Sequence, residues 1–415
     1  MSPIKKVPIK DIKRLAAIAG NAYPGFDMNK PDVKENVRKR LIHLSKTDKK
    51  SCTFGLYRKA KLIAGIRYMD FIMNMFGQKV KVGGGGMLAV DLIRKKEHSA
   101  KEIVEHFISF YKKRKYAMLS LYPFRPDFYH KMGFGYGSKV NCYIFKPGDL
   151  PSGDKSHIEY LNNKDAKEII ACYNRYADSQ HGMFRWTTQN EGIYSRKTNY
   201  LIGYRKGKQV KGCVVFTFDK DKAANYLLTD MIISVMIWEN RDVFAELMAF
   251  LRSQSDQIGK IRYSVQDDSL GFVPRDPRNH TMNLVRVVCH ETNVQGVGIM
   301  YRVINMPLFF ENMKNHNFGG ETLKLKINIE DSFLPANGGA HYVEFKNGTA
   351  LYKSRIKHDV EIAMDIAEFS SMIIGVVDFK DLYRIGKADI SDEKLLPKVN
   401  GIFHSDTKPM TLTQF

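Results

Sequence analysis

Ile12, Leu15, Ala16 and Ala19 repeat at the spacing of one helix face, and Tyr23-Pro24-Gly25 closes that segment. A second helix is predicted to start near Pro31, because proline suits a first helical turn. Strand patterns follow at Thr53–Tyr57 and Leu62–Ile72, joined by a turn at Arg58–Lys61. A further strand near Gln78–Val82 runs through Gly83-Gly84-Gly85-Gly86 into Met87-Leu88-Ala89-Val90. Glycines weaken a strand unless the backbone must bulge or admit a close neighbour. A flexible hairpin is the equal alternative. Ile103, Val104, Phe107, Ile108 and Tyr111 then share a helix face, and Tyr116–Tyr122 reads as a buried strand stopped by Pro123. A short helix from Pro126 to Met132 with Gly133 as its cap precedes another strand at Phe134.

After a linker at Leu150–Asp154 a similar order restarts. Ala166, Ile169, Ile170 and Tyr173 make a helix face. Tyr200–Tyr204, Val210–Phe218 and Leu227–Ile237 read as strands, Arg241–Arg252 as an amphipathic helix and Ile261–Val265 as a strand. The repeat lies in element order, not in residue identity. From about Gly298 the pattern changes. Leu323, Leu325, Ile327 and Ile329 alternate with polar residues, Asn347-Gly348 marks a hairpin, and Ile362, Ile366, Phe369 and Met372 suggest a helix. Three domains are expected, at 1–150, 151–297 and 298–415: two α/β units with mixed sheets flanked by helices, then a smaller α+β unit.

Composition adds limits. A chain of 415 residues exceeds one ordinary core, and the 44% hydrophobic and 12% aromatic content fits folded domains throughout. The opening MSPIKKVPIKDIKRL lacks the apolar core of a signal peptide, and the apolar run Met231–Trp238 is too short to span a bilayer. A cytoplasmic protein without a membrane partner is expected. Cys52, Cys142, Cys172, Cys213 and Cys289 lack metal-ligand spacing and read mostly as reduced core residues, so no metal is expected. The net charge of +21 invites polyanion partners. The cations are spread along the chain without interleaved aromatics, however, and the densest run, Lys112–Lys115, ends a helix, so no nucleic-acid partner is expected.

Candidate chemistry sits in three places. The segment Met87–Ala100 carries Arg94, Lys95, Lys96 and His98 between a strand and a helix. A basic loop opening a helix suits a pyrophosphate, and suits a solvated surface loop equally. Asp127-Phe128-Tyr129-His130-Lys131-Met132-Gly133 places a tyrosine on a short helix, either as a proton donor or as a core residue. His130 reads as a surface residue. Finally, Thr411-Leu412-Thr413-Gln414-Phe415 ends on an apolar residue, the mark of a docked end. A carboxylate held there could act as a base, although most termini have no role.

The segment Leu88–Ala100 with the helix after it resembles the acetyl-CoA signature of the GNAT acyltransferases, and Phe128–Gly137 (FYHKMGFGYG) resembles the segment closing their core. Tandem GNAT-like domains, a sterol-carrier-like C-terminal α+β domain and a terminal phenylalanine together resemble the Eis (enhanced intracellular survival) branch of that family. The resemblance implies acetyl-CoA as co-substrate. Leu88, Ala89 and Val90 would meet the pantetheine arm. Lys95, Lys96, His98, Ser99, Ala100 and Lys101 would surround the pyrophosphate, and Phe124 would lie on the cofactor side. It implies Tyr129 as general acid, the Phe415 carboxylate as general base, and Tyr23, Phe26 and Asp27 along the amine pocket. It also implies a hexamer. The loop departs from the family's Arg/Gln-x-x-Gly-x-Gly/Ala in placing His98 where glycine is usual, and Gln414 leaves one fewer acidic group beside the terminus.

The implied activity is N-acetyl transfer to small polyamine-like or aminoglycoside-like amines, or to protein lysine. The competing readings are a degenerate platform that binds acyl-CoA or a polyanion without turnover, and lipid carriage by the third domain. In the second unit, Trp238-Glu239-Asn240-Arg241-Asp242-Val243 lacks the basic cluster, so one cofactor site per chain is expected.

Overall fold

The computed structural model describes residues 4–23, 25, 30–48, 50–187, 198–219 and 227–415. The first sheet has seven strands, in the order Ile4–Lys6, Ser51–Arg58, Lys61–Met75, Gln78–Val90, Met118–Leu121, Met300–Val303 and Gly135–Tyr136. Strand Gln78–Val90 pairs antiparallel with Lys61–Met75 and parallel with Met118–Leu121, and helix Ser99–Lys113 makes the crossover between the parallel pair. That helix buries Ile103, Val104, Phe107, Ile108 and Tyr111, the face read from the sequence. Helices Ile12–Ala22 and Pro31–Thr47 lie between the strands Ile4–Lys6 and Ser51–Arg58 in chain order.

The second sheet repeats this plan. Tyr200–Lys206, Gln209–Asp219 and Thr229–Trp238 are antiparallel neighbours, and helix Arg241–Arg252 connects Thr229–Trp238 to its parallel partner Ile258–Val265. The third sheet has five strands around Leu323–Glu330, with Asn347-Gly348 turning the hairpin between Gly339–Lys346 and Thr349–Lys353. Both turn residues have positive φ, 46° and 79°, as the Asn-Gly signal requires. One reading needs correction. Ile362 belongs to strand Val360–Asp365, and the helix begins only at Ile366, where the Asp365 carboxylate accepts from the Ala367 N–H. Its apolar spacing simply continues across that strand–helix junction. Of the cysteines, Cys172 and Cys213 are buried while Cys289 is exposed.

The first two sheets exchange strands. Val140–Phe145 pairs with Ile258–Val265 in the second sheet, whereas Met300–Val303 returns to the first, between Met118–Leu121 and Gly135–Tyr136. The two segments cross at glycines. The Gly137 N–H donates to the Ile299 carbonyl at 2.9 Å, and a side chain on Gly137 or Gly298 would strike the Ile299 or Ser138 carbonyl respectively. The far end of the Lys61–Val90 hairpin runs into the third unit, where Met73, Met75, Val80 and Val82 share a core with Phe309, Phe345 and Phe369. His181 fastens this junction. Its Nδ1 accepts from the Phe76 N–H at 3.2 Å, its Nε2 meets the Ile374 carbonyl at 3.0 Å, and its own carbonyl accepts from the Met410 N–H at 2.9 Å.

Candidate active site

The four glycines lie inside a continuous strand, not at a hairpin, and alternate faces give each pair its own reason. A methyl group on Gly83 or Gly85 would press into the Tyr111 and Phe107 rings of helix Ser99–Lys113. On the opposite face, one on Gly84 would strike Phe71 and lie 3.2 Å from the Phe415 ring, and one on Gly86 would lie 3.1 Å from the Phe415 carboxyl carbon. Beyond the glycines the strand changes course. Met87 has φ of 53°, and the register with Lys61–Met75 slips by one residue opposite Ile66, as in a β-bulge. The parallel pairing stops at Gly85 opposite Leu121, so Gly86–Val90 extend past the end of their neighbour and leave a wedge between the two strands.

The N-terminus of helix Ser99–Lys113 is uncapped. His98 occupies the cap position with φ 58° and ψ 9° and its side chain makes no cap bond, and among the described residues the buried Ser99 hydroxyl has no partner. A histidine thus holds a left-handed backbone, at a cost of about 1–2 kcal/mol. Lys96 is also left-handed, with φ 65°. The nearby carboxylates are engaged: Asp91 with Arg14 at 2.8 Å, Glu102 with Arg58 at 2.6 Å, and Glu97 with Arg94 at 3.3 Å. Lys95, Lys96, His98 and Lys101 are exposed around the unsatisfied amides. That arrangement fits a pyrophosphate, because orphan N–H groups, the helix dipole and exposed cations all favour an anion. The second unit differs. There Asn240 accepts from the N–H groups of Asp242 and Val243, closing helix Arg241–Arg252, and Glu239 bonds Arg175 at 2.6 Å.

Tyr129 lies on helix Pro126–His130 and is buried among Phe124, Phe128 and Phe134, with ring centroids 5.9, 5.2 and 6.0 Å away. Among the described residues its hydroxyl makes no hydrogen bond. Burial, and then the neighbouring Tyr23, push its phenol above the usual range, so it stays protonated at neutral pH. The Tyr23 ring stands edge-on to Phe124 at 6.4 Å, and its hydroxyl donates to the Leu88 carbonyl at 2.7 Å. The structure thus gathers Tyr23, Leu88, Phe124 and Tyr129. Phe26 and Asp27 lie outside the described residues.

Phe415 packs its ring on Phe71, Tyr122 and Phe184 at 4.8, 5.2 and 6.0 Å, with its carboxyl against Gly86. The terminus therefore lies on the strand that carries Leu88, two residues from it.

Sequence reasoning missed the supports behind Tyr129. Arg302 is fully buried, donates to the Met132 carbonyl at the end of the tyrosine helix, and pairs with the equally buried Asp331 of the third unit at 2.6 Å. His130 is half-buried rather than at the surface, and its Nε2 lies 3.3 Å from Glu368, which raises the imidazole pKa. An arginine inside the apolar run Ile299–Ile304 was the available signal. Among the described residues no cluster of three metal-ligating side chains occurs and no helix is long and apolar enough to cross a membrane.

Residues 3–137 match the acetyltransferase (GNAT) domain family, residues 172–297 match a second acetyltransferase (GNAT) domain family, and residues 307–412 match the sterol carrier protein domain family. No curated protein matches the sequence. Among solved structures, a GCN5-related N-acetyltransferase from Anabaena variabilis superposes with a TM-score of 0.82 at 16% identity. A probable N-acyltransferase from Enterococcus faecalis does so at 0.79 and 17% identity, and Eis1 from Mycobacterium abscessus at 0.77 and 14% identity. Each comparison covers 100% of both chains. The two acetyltransferase (GNAT) matches, which together span most of the chain, make it a member of the GNAT acetyltransferases, with a sterol carrier protein domain at its C-terminal end and a fold like that of Eis1.

Proposed function

We propose that the chain is an N-acetyltransferase that moves an acetyl group from acetyl-CoA to the nitrogen of an amine by direct attack. One observation carries this reading: the Phe415 carboxyl abuts Gly86, on the strand end that also carries the Tyr23–Leu88 contact beside Tyr129. A base and an acid thus flank one wedge. Acetyl-CoA supplies the acyl carbon as a thioester. Lys95, Lys96, Lys101 and the amides of the uncapped helix would hold its pyrophosphate, and the free edge at Ala89 and Val90 would meet its pantetheine arm. The Leu88 carbonyl is already taken by Tyr23, which leaves the Leu88 N–H for that arm. The terminal carboxylate would take the proton that the amine loses, and the Tyr129 hydroxyl would protonate the departing sulfur. The closed helix N-terminus at Asn240 supports one cofactor site per chain.

The proposal extends to a cytoplasmic location and a homo-oligomer, with the hexamer implied by the family. The bounds 1–150, 151–297 and 298–415 mark chain segments only, because Val140–Phe145 and Met300–Val303 each pair in a sheet on the other side of a bound. The hairpin carrying Met282, Val285, Val287 and Val288, each more than 70% exposed, supports self-association. Light scattering of the purified chain measures its stoichiometry.

The test is acetyl-CoA turnover with an amine panel, read by thiol release, for the intact chain beside one extended by several residues after Phe415. Turnover in the first and its loss in the second, with unchanged melting, is expected. Equal turnover would remove Phe415 from the chemistry. The Tyr129→Phe variant should lose about 10²–10⁴-fold in kcat, the usual contribution of a positioned proton donor. Calorimetric binding of acetyl-CoA without turnover of any amine would favour the binding-platform reading.

A further inference from the structure

We infer that the second GNAT-like unit serves as a clamp that holds the terminal carboxylate in the first unit's site, with Thr413 as its positioning residue. This rests on the base role proposed for Phe415. Chain ends fray unless tied down, whereas a general base must be held to within about 0.5 Å of its working position.

The ties come from both sides of the tail. The side chains of Met410 and Leu412 are buried in the second unit's core. Between them, the Thr411 N–H donates to Gln266 Oε1 at 2.6 Å. Thr413 is 3% exposed, and its hydroxyl oxygen accepts from Trp186 Nε1 at 3.1 Å and meets the Tyr173 hydroxyl at 3.2 Å. Those two rings stack in parallel with centroids 3.7 Å apart. On the other side the first unit reaches back, with the Tyr122 hydroxyl donating to the Thr413 carbonyl at 3.1 Å. Gln414 is exposed, and Phe415 crosses to Gly86 and Phe71.

With Thr413 fixed, two residues at about 3.4 Å each keep the carboxylate within about 7 Å of it, and the Phe415 ring seated on Phe71, Tyr122 and Phe184 restricts it further. Nearly all the polar ties N-terminal to that point come from the second unit. Asn240 already closes the equivalent helix cap in that unit, so what the unit contributes through these ties is geometric.

The experiment compares Thr413→Val, Thr413→Ser and Trp186→Phe in the full chain, with far-UV circular dichroism and melting as fold controls. Two readouts are taken: kcat and KM for acetyl-CoA, and the rate at which carboxypeptidase frees phenylalanine from the terminus. Thr413→Val and Trp186→Phe should lower kcat by about 10–100-fold, the scale of an ångström misplacement. KM should not change, and phenylalanine release should quicken. Thr413→Ser keeps the hydroxyl and should restore both readings to within about twofold. Release and kcat at parental values in Thr413→Val would refute the clamp, and faster release with unchanged kcat would refute the positioning role. If the parent chain acetylates no amine while Thr413→Val still speeds release, the clamp stands and the acetyl-transfer reading falls.

Discussion

Gly86, on the wedge strand, and His98, at the helix N-terminus, break the expectations for their positions in opposite ways. Gly86 gives up strand stability so that a carboxyl can approach, and Gly86→Ala would place a methyl 3.1 Å from the Phe415 carboxyl carbon. That substitution should therefore displace the terminus and cut kcat, while strand propensity alone would favour it. Measured kcat beside urea-unfolding stability separates the two effects. His98 holds a left-handed backbone that glycine adopts without strain. Replacing it with glycine should stabilise the fold by roughly 0.5–1 kcal/mol and lower KM for acetyl-CoA, readable in the same two assays. Both positions could be flagged from the sequence, the first by a glycine run within a strand pattern and the second by a missing loop glycine. The reason for the first was not legible, since the residue that needs the space is 329 positions away at Phe415.

The uncapped helix Ser99–Lys113 and the capped helix Arg241–Arg252 show how the same topological element takes two roles. Asn240→Ala should cost about 1 kcal/mol in unfolding free energy and leave KM for acetyl-CoA unaltered, because that cap belongs to structure and not to the cofactor. Behind the tyrosine helix, Asp331→Ala would strand the fully buried Arg302 guanidinium, with an expected loss of about 3–5 kcal/mol measured by denaturant titration. Periodicity placed the helices well, because faces such as Ile103, Val104, Phe107 and Tyr111 report burial directly. It failed at Ile362, where a buried strand runs into a buried helix and the apolar residues form one uninterrupted series. The Arg302–Asp331 pair was likewise invisible, since no local pattern links position 302 to position 331.

Across the molecule, the three units meet at His181, whose imidazole is pushed down to about 4 by burial. In the unfolded chain it would titrate near 6.5. Between those values the unfolded state binds a proton that the folded state refuses, so stability is complete above about pH 6.5 and falls as pH drops toward 4. The full difference is about 3 kcal/mol. Melting temperature against pH, compared with His181→Gln, should show that acid sensitivity reduced in the variant. The sequence disclosed the number of units and their repeated plan, but not the exchange of Val140–Phe145 and Met300–Val303 between sheets, which depends on pairing over distance. That exchange bears on dissection of the protein. A fragment cut at the Leu150–Asp154 segment would carry a strand of the other sheet and lack an interior strand of its own, leaving Met118–Leu121 as a raw apolar edge. Neither piece should be soluble alone, whereas both pieces made together should reassemble, each completing the other like two halves of a split reporter.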